Sequence, residues 1–130
     1  MAPRVLVVED NPVNLELVAA LLESEGCGVI LAETADVSLR LAVTEGPDLI
    51  VMDIQLPGMT GHEATRRLKA NPATAAIPVV ALTAHAMRGE EVRAREAGFD
   101  AFLTKPIDTQ AFRETLRRFL GDVRGSQATR

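Results

Sequence analysis

Leu49-Ile50-Val51-Met52 is an apolar run that ends on a single carboxylate, Asp53, before the chain passes Gln55 and breaks at Pro57-Gly58. A strand of this make-up delivers Asp53 to the carboxyl edge of a buried sheet, where open α/β proteins place their chemistry. Two further stretches share the pattern: Val5-Leu6-Val7-Val8 runs into Glu9-Asp10, and Ala101-Phe102-Leu103-Thr104 runs into Lys105-Pro106. Side by side and parallel, these strands bring three carboxylates and one lysine to one edge. Crowded carboxylates share protons or bind a cation at neutral pH. Glu9, Asp10 and Asp53 are hard oxygen donors with no Cys and no nearby His to suggest zinc. Magnesium fits, because it takes one or two carboxylates and keeps several waters. Such an ion beside a carboxylate suits phosphoryl transfer, with the carboxylate attacking phosphorus to give an aspartyl phosphate. The remaining phosphoryl oxygens then need a cation and a hydroxyl, and Lys105 and Thr83, each ending its own strand, stand where those partners belong.

The elements that must position these residues alternate along the chain. After the first strand, Asn11-Pro12 reads as an N-cap and first-turn proline, followed by Leu15, Val18, Ala19 and Leu22 at helical spacing. Gly26 and Gly28 close that helix and open a second strand over 29–32. A second helix over 35–44 carries Leu39, Ala42 and Val43 on one side and stops at Gly46-Pro47. Thr60 and Glu63 have capping-box spacing and start a third helix with Ala64 and Leu68 facing inward, ended by Asn71-Pro72. The fourth strand, 78–82, leads to Thr83-Ala84-His85. A fourth helix over 87–97 is rich in Arg and Glu and poor in large apolar residues, so it is expected to be loosely held. Gly98 ends it, and after the fifth strand Asp108 caps a last helix that buries Phe112, Leu116, Phe119 and Leu120.

Five near-continuously apolar strands, each followed by an amphipathic helix, predict a doubly wound α/β fold with a parallel sheet covered on both faces. Right-handed crossovers favour the flavodoxin-like order 2-1-3-4-5, which sets Asp10 beside Asp53. One domain over 1–120 and a flexible tail over 121–130 are expected.

Composition narrows the function classes. A net charge of −4 without Trp or Tyr leaves neither the basic face nor the stacking aromatics of a nucleic-acid binder. Arg113, Arg117 and Arg118 read as a solvated helix face. No apolar run approaches the roughly 20 residues of a membrane span, and the short lead into Glu9-Asp10 does not read as a secretory signal. The one cysteine, Cys27, cannot form an internal disulfide and reads as a small apolar filler. A cytoplasmic protein without nucleic-acid or membrane partners is expected. His62 is expected to be exposed near the start of the third helix.

With Glu9-Asp10, Asp53, Pro57-Gly58, Thr83-Ala84 and Lys105-Pro106 in order at the ends of successive strands, the chain resembles the receiver domain of two-component response regulators, the CheY-like superfamily, from about residue 4 to 120. Asp10-Asn11-Pro12-Val13-Asn14 and 52–58 look like single-domain cell-division regulators of the DivK kind, and equally like receivers attached to hybrid kinases. The resemblance implies that Asp53 accepts phosphate from the phosphohistidine of a sensor histidine kinase or histidine phosphotransfer protein. It also implies that Asp10, Asp53 and the main-chain carbonyl of Gln55 bind Mg2+, with Glu9 acting through a water. Lys105 would pair with the phosphoryl group and Thr83 would swing toward it. Phe102 would be the switch aromatic, without the hydroxyl of a tyrosine. Gln55 and His85 would tune the rates, and the Lys105-Pro106 bond would be cis. The fourth helix, fifth strand and fifth helix would meet a downstream protein, as a monomer or as a phosphorylation-dependent dimer.

Other classes remain open on the residues. A receiver cut from a hybrid kinase or a phosphorelay intermediate has the same pattern. A magnesium-dependent phosphatase would pass through the same aspartyl phosphate, but its usual second aspartate two places after the nucleophile is Gln55 here, which exchanges no proton at neutral pH. A nucleotide or flavin binder would want a glycine- or hydroxyl-rich loop after the first strand, where Glu9-Asp10-Asn11-Pro12 has the wrong charge.

Overall fold

The computed structural model describes residues 2–84 and 89–121. The strands are β1 (Arg4–Val8), β2 (Gly28–Ala32), β3 (Leu49–Asp53), β4 (Val79–Thr83) and β5 (Ala101–Thr104). The helices between and after them are α1 (Pro12–Ser24), α2 (Ala35–Glu45), α3 (Gly61–Ala70), α4 (Glu90–Ala97) and α5 (Thr109–Leu120). All neighbouring strands are parallel in the order β2-β1-β3-β4-β5, as the alternation of elements predicts. No helix among the described residues is long and apolar enough to cross a membrane.

The sheet is apolar on both faces because both are covered. Leu6, Val8, Ile50, Met52, Val79 and Ala81 pack toward Ala42, Ala64, Leu68, Ala94 and Ala97 of α2, α3 and α4. The alternate residues Val5, Val7, Leu49, Val51, Val80 and Leu82 meet Leu15, Val18 and Leu22 of α1 and Phe112 and Leu116 of α5. Every residue of β3 is buried, and so is every residue of β4.

The caps sit where the sequence places them. The Asn11 side chain accepts from Val13 N–H and Asn14 N–H, and the Asp108 carboxylate from Gln110 N–H and Ala111 N–H. Thr60 accepts from Glu63 N–H at 3.2 Å, while the Glu63 carboxylate turns to Arg67 at 3.0 Å. Some inner faces differ from the expected ones. On α2 the buried residues are Ala35, Ser38 and Ala42, and Val43 is exposed, because one step past Ala42 turns a side chain about 100° off the buried stripe. Ala19 is half-buried on α1, and so are Phe119 and Leu120 on the last turn of α5, which overhangs the core. On α4 only Ala94 and Ala97 are buried, and Gly89 provides no side-chain cap. The expected helix start at Met87 lies outside the described residues, as do His85 and the tail beyond Gly121.

Far from the carboxyl edge of the sheet, Lys69 ties α3 to the segment before β4. Its Nζ donates to Ile77 O at 2.8 Å and to Asp100 Oδ2 at 2.9 Å, and the same Asp100 oxygen accepts from Val79 N–H at 2.8 Å.

Candidate functional site

Register decides which side chains meet. Val8 pairs with Met52, so Glu9 and Asp53, each one residue further on, leave the sheet at the same level. Asp53 pairs with Leu82, and Thr83 pairs with Thr104, so Thr83 and Lys105 follow one step beyond. Lys105 N–H donates to Thr83 O at 2.7 Å, and the Lys105-Pro106 bond is cis, as the resemblance implies.

Lys105 stands between two acids. Its Nζ donates to Glu9 Oε1 at 2.8 Å and to Asp53 Oδ2 at 3.0 Å. The second oxygens are held by backbone: Asp53 Oδ1 accepts from Gln55 N–H at 2.9 Å, and Glu9 Oε2 from Asn11 N–H at 3.2 Å. Glu9 is 1% exposed and Asp53 4%, whereas Asp10 is exposed at the rim. Burial pushes the Glu9 carboxyl above its ordinary range; the Lys105 hydrogen bond opposes that rise and Asp53 reinforces it. Burial alone would lower the Lys105 ammonium, but its two carboxylate partners outweigh burial and raise it.

One oxygen from each of Glu9, Asp10 and Asp53 lies within 4.8 Å of the other two, close enough to share a cation. The donor set is three carboxylates, with no nitrogen or sulfur, and the exposed Asp10 leaves one side open to water. Those properties fit a hard, partly hydrated divalent ion. Gln55 is exposed beside this cluster, and Thr83 is fully buried at the end of β4.

Phe102 lies two rungs below Thr104 on β5, half-buried against the core. It lines a groove of about 510 Å3 between α4 and α5, with Ala94, Arg95, Phe99 and Arg118 on its walls. His62 departs from expectation. It is half-buried and edge-on to Phe99, with ring centroids 5.9 Å apart. Phe99 comes from a distant segment, so nothing around position 62 signals the contact. Cys27 is buried, as a filler should be, and burial pushes its thiol up.

Gly61 is a positioning residue that the reading of strand ends misses. It opens α3 directly behind Asp53, and a Cβ there would lie 2.6 Å from Asp53 O and 2.9 Å from Ile54 Cα. Both neighbours are backbone and cannot swing aside. A glycine at a first helical position, where many residues do better, is the signal that could have marked it. Gly61→Ala is expected to cost about 1–3 kcal/mol of stability by pushing on the Asp53 and Ile54 backbone. Denaturant unfolding measures the cost, and an unchanged midpoint would contradict the close approach.

Comparison with known proteins accords with this geometry. The response regulator receiver domain model matches residues 5–117. The polar-differentiation response regulator DivK of Brucella ovis is 43% identical over 123 residues, covering 95% of this chain and 100% of that protein. Among solved structures, the receiver domain of a sensor histidine kinase from Pseudomonas aeruginosa, with a magnesium ion coordinated in its active site cleft, is 35% identical. It has a TM-score of 0.86 and covers 93% of this chain and 99% of its own. A chemotaxis response regulator of Vibrio cholerae is 25% identical with a TM-score of 0.85, covering 92% of this chain and 100% of its own. A family match across nearly the whole sheet, with the acids and the lysine at its carboxyl edge, leaves one conclusion: the chain belongs to the response regulator receiver domain family and acts in two-component signalling.

Proposed function

We propose that Asp53 is the phosphoacceptor of this receiver and that Asp10, Asp53 and the Gln55 carbonyl hold Mg2+, with Glu9 acting through a water. The observation that carries the reading is Lys105 Nζ at 2.8 and 3.0 Å from two buried acids. That arrangement gathers nucleophile, cation ligands and counter-charge at one sheet edge. When bound, magnesium supplies positive charge to the oxygens of the transferring phosphoryl group.

The residues of the chain do the rest. An Asp53 oxygen attacks phosphorus while the bond from phosphorus to the donor's histidine nitrogen breaks, and the electron pair leaves with that nitrogen. Gln55 N–H and Lys105 fix the two Asp53 oxygens beforehand, so the carboxylate is oriented and little rearrangement is needed. Lys105 then stays beside the added negative charge. Thr83 donates its hydroxyl to a phosphoryl oxygen. Its movement passes along the β4–β5 rungs to Phe102 and so to the groove of α4, β5 and α5, where a downstream protein docks. Gln55 and His85 set how long the acyl phosphate lasts. The donor is a sensor histidine kinase or phosphotransfer protein, and the setting is cytoplasmic. The protein takes up and loses one phosphoryl group and turns over no external substrate, because Gln55 offers no acid or base to a leaving group.

Incubation with phosphoramidate tests this reading. One phosphoryl group should be gained, only with magnesium, at a position that peptide mapping places at Asp53, and hydroxylamine should remove it. Labelling elsewhere, or equal labelling without magnesium, would overturn it.

A further inference from the structure

Where α3 faces α4, the His62 ring meets Phe99 edge-on, with planes at 88°. Its Nε2 is buried and has no hydrogen-bond partner, the one such side-chain atom among the described residues. An unpaired buried nitrogen is costly, and it becomes costlier as an imidazolium, in which both ring nitrogens must donate. The charged groups facing the ring are Arg66 from α3 and Glu90 and Arg93 from α4. Glu90 is already engaged by Arg93. Burial therefore holds the imidazole below its ordinary range, with Glu90 opposing and the two arginines reinforcing.

Phe99 follows the end of α4 by two residues, and the described part of α4 is lightly anchored. α4 has eight residues, no side-chain cap and two buried alanines. Phe99, against which His62 leans, is 5% exposed and lines the groove beside Phe102. His62 thus supports the back of a residue whose front shapes the docking groove.

We propose that His62 is a proton-operated latch: neutral, it braces Phe99 and holds α4 on α3; protonated, it leaves Phe99 for solvent, frees α4 and reshapes the groove between α4 and α5. The consequence for a partner rests on the output-face reading above, but the latch itself is read without phosphate, magnesium or partner. A released imidazole titrates near the ordinary value of about 6.5, so lowering the pH from 7.5 to 5.5 raises the released fraction by at most about tenfold.

Amide hydrogen exchange in the whole chain tests the latch, corrected for intrinsic rates and compared with His62→Phe. That variant keeps an aromatic edge and carries no titrating proton, while His85 and every carboxylate stay in place. The α4 amides to follow are Arg93 N–H and Gly98 N–H, bonded to Gly89 O and Arg95 O at 3.0 Å. Their opening should rise up to tenfold across this range in the wild type and stay level in the variant. Equal pH dependence in both proteins would overturn the proposal. A second measurement uses the wild type alone: the His62 ring signal and the α4 amide signals should titrate with one midpoint. A ring that titrates while the α4 amides stay fixed would also overturn it.

Discussion

Asp53→Asn is expected to take phosphorylation from one phosphoryl group per chain to none. Asparagine keeps the shape, and its amide oxygen can still accept the Gln55 N–H that reaches Asp53 Oδ1 at 2.9 Å. What it loses is the anionic oxygen that must attack phosphorus. The fold should survive, since Lys105 keeps Glu9 at 2.8 Å. Removing one of three crowded carboxylates also relieves like-charge repulsion, so the metal-free variant should unfold no earlier than the wild type. Intact-mass measurement after treatment with phosphoramidate and magnesium reads the first effect and thermal unfolding the second. A folded Asp53→Asn protein that still takes up phosphate would remove Asp53 from its assigned role.

Lys105→Met is expected to have the largest effect on stability. The lysine is the cation within hydrogen-bond reach of both Glu9 and Asp53, and those carboxyl side chains are 1% and 6% exposed. Removing one partner of a buried ion pair leaves uncompensated charge. Because Lys105 itself keeps 17% exposure, the loss falls at the low end of the usual range, about 3 kcal/mol. The pH dependence has a definite sign. A carboxyl whose folded pKa is raised binds its proton more tightly folded than unfolded. Its contribution to stability is therefore full below the ordinary 4.5 and is lost as pH rises through the raised value. Without the Lys105 hydrogen bond the Glu9 carboxyl rises further. The deficit of the variant should accordingly be smallest at and below the ordinary 4.5 and should grow as pH rises through the raised Glu9 value, and added magnesium should recover part of it. Urea unfolding at several pH values checks this; a deficit independent of pH would mean that Lys105 acts through packing rather than charge.

The carboxyl edge of the sheet was legible because its logic is local. An apolar run ending in Glu9-Asp10, Asp53, Thr83 or Lys105 states which residue leaves the sheet. Parallel pairing of those runs then aligns them, with Val8 level with Met52 and Thr83 with Thr104. Asn11, Thr60 and Asp108 were legible as caps for the same reason, since donor and acceptor lie two or three residues apart. Legibility ended where the partner comes from far along the chain. His62 reads as a surface histidine until Phe99 is folded against it, and Gly61 reads as a weak helix start until the Asp53 carbonyl is seen behind it. Lys69 gives no hint that Asp100 will take its ammonium. Val43 fails differently: helical periodicity marks an apolar side of α2, but the small residues Ala35, Ser38 and Ala42 form the face that fits the sheet.

The most direct test of the account is a thermal shift with beryllofluoride, which mimics the acyl phosphate, run with and without magnesium on the wild type and on Asp53→Asn. The account predicts a rise in Tm that requires magnesium and the Asp53 carboxylate together, since only the folded site assembles Glu9, Asp10, Asp53 and Lys105 around the mimic. An equal rise in Asp53→Asn, or a rise without magnesium, would contradict the assignment of Asp53 as phosphoacceptor at a metal-bound acidic cluster.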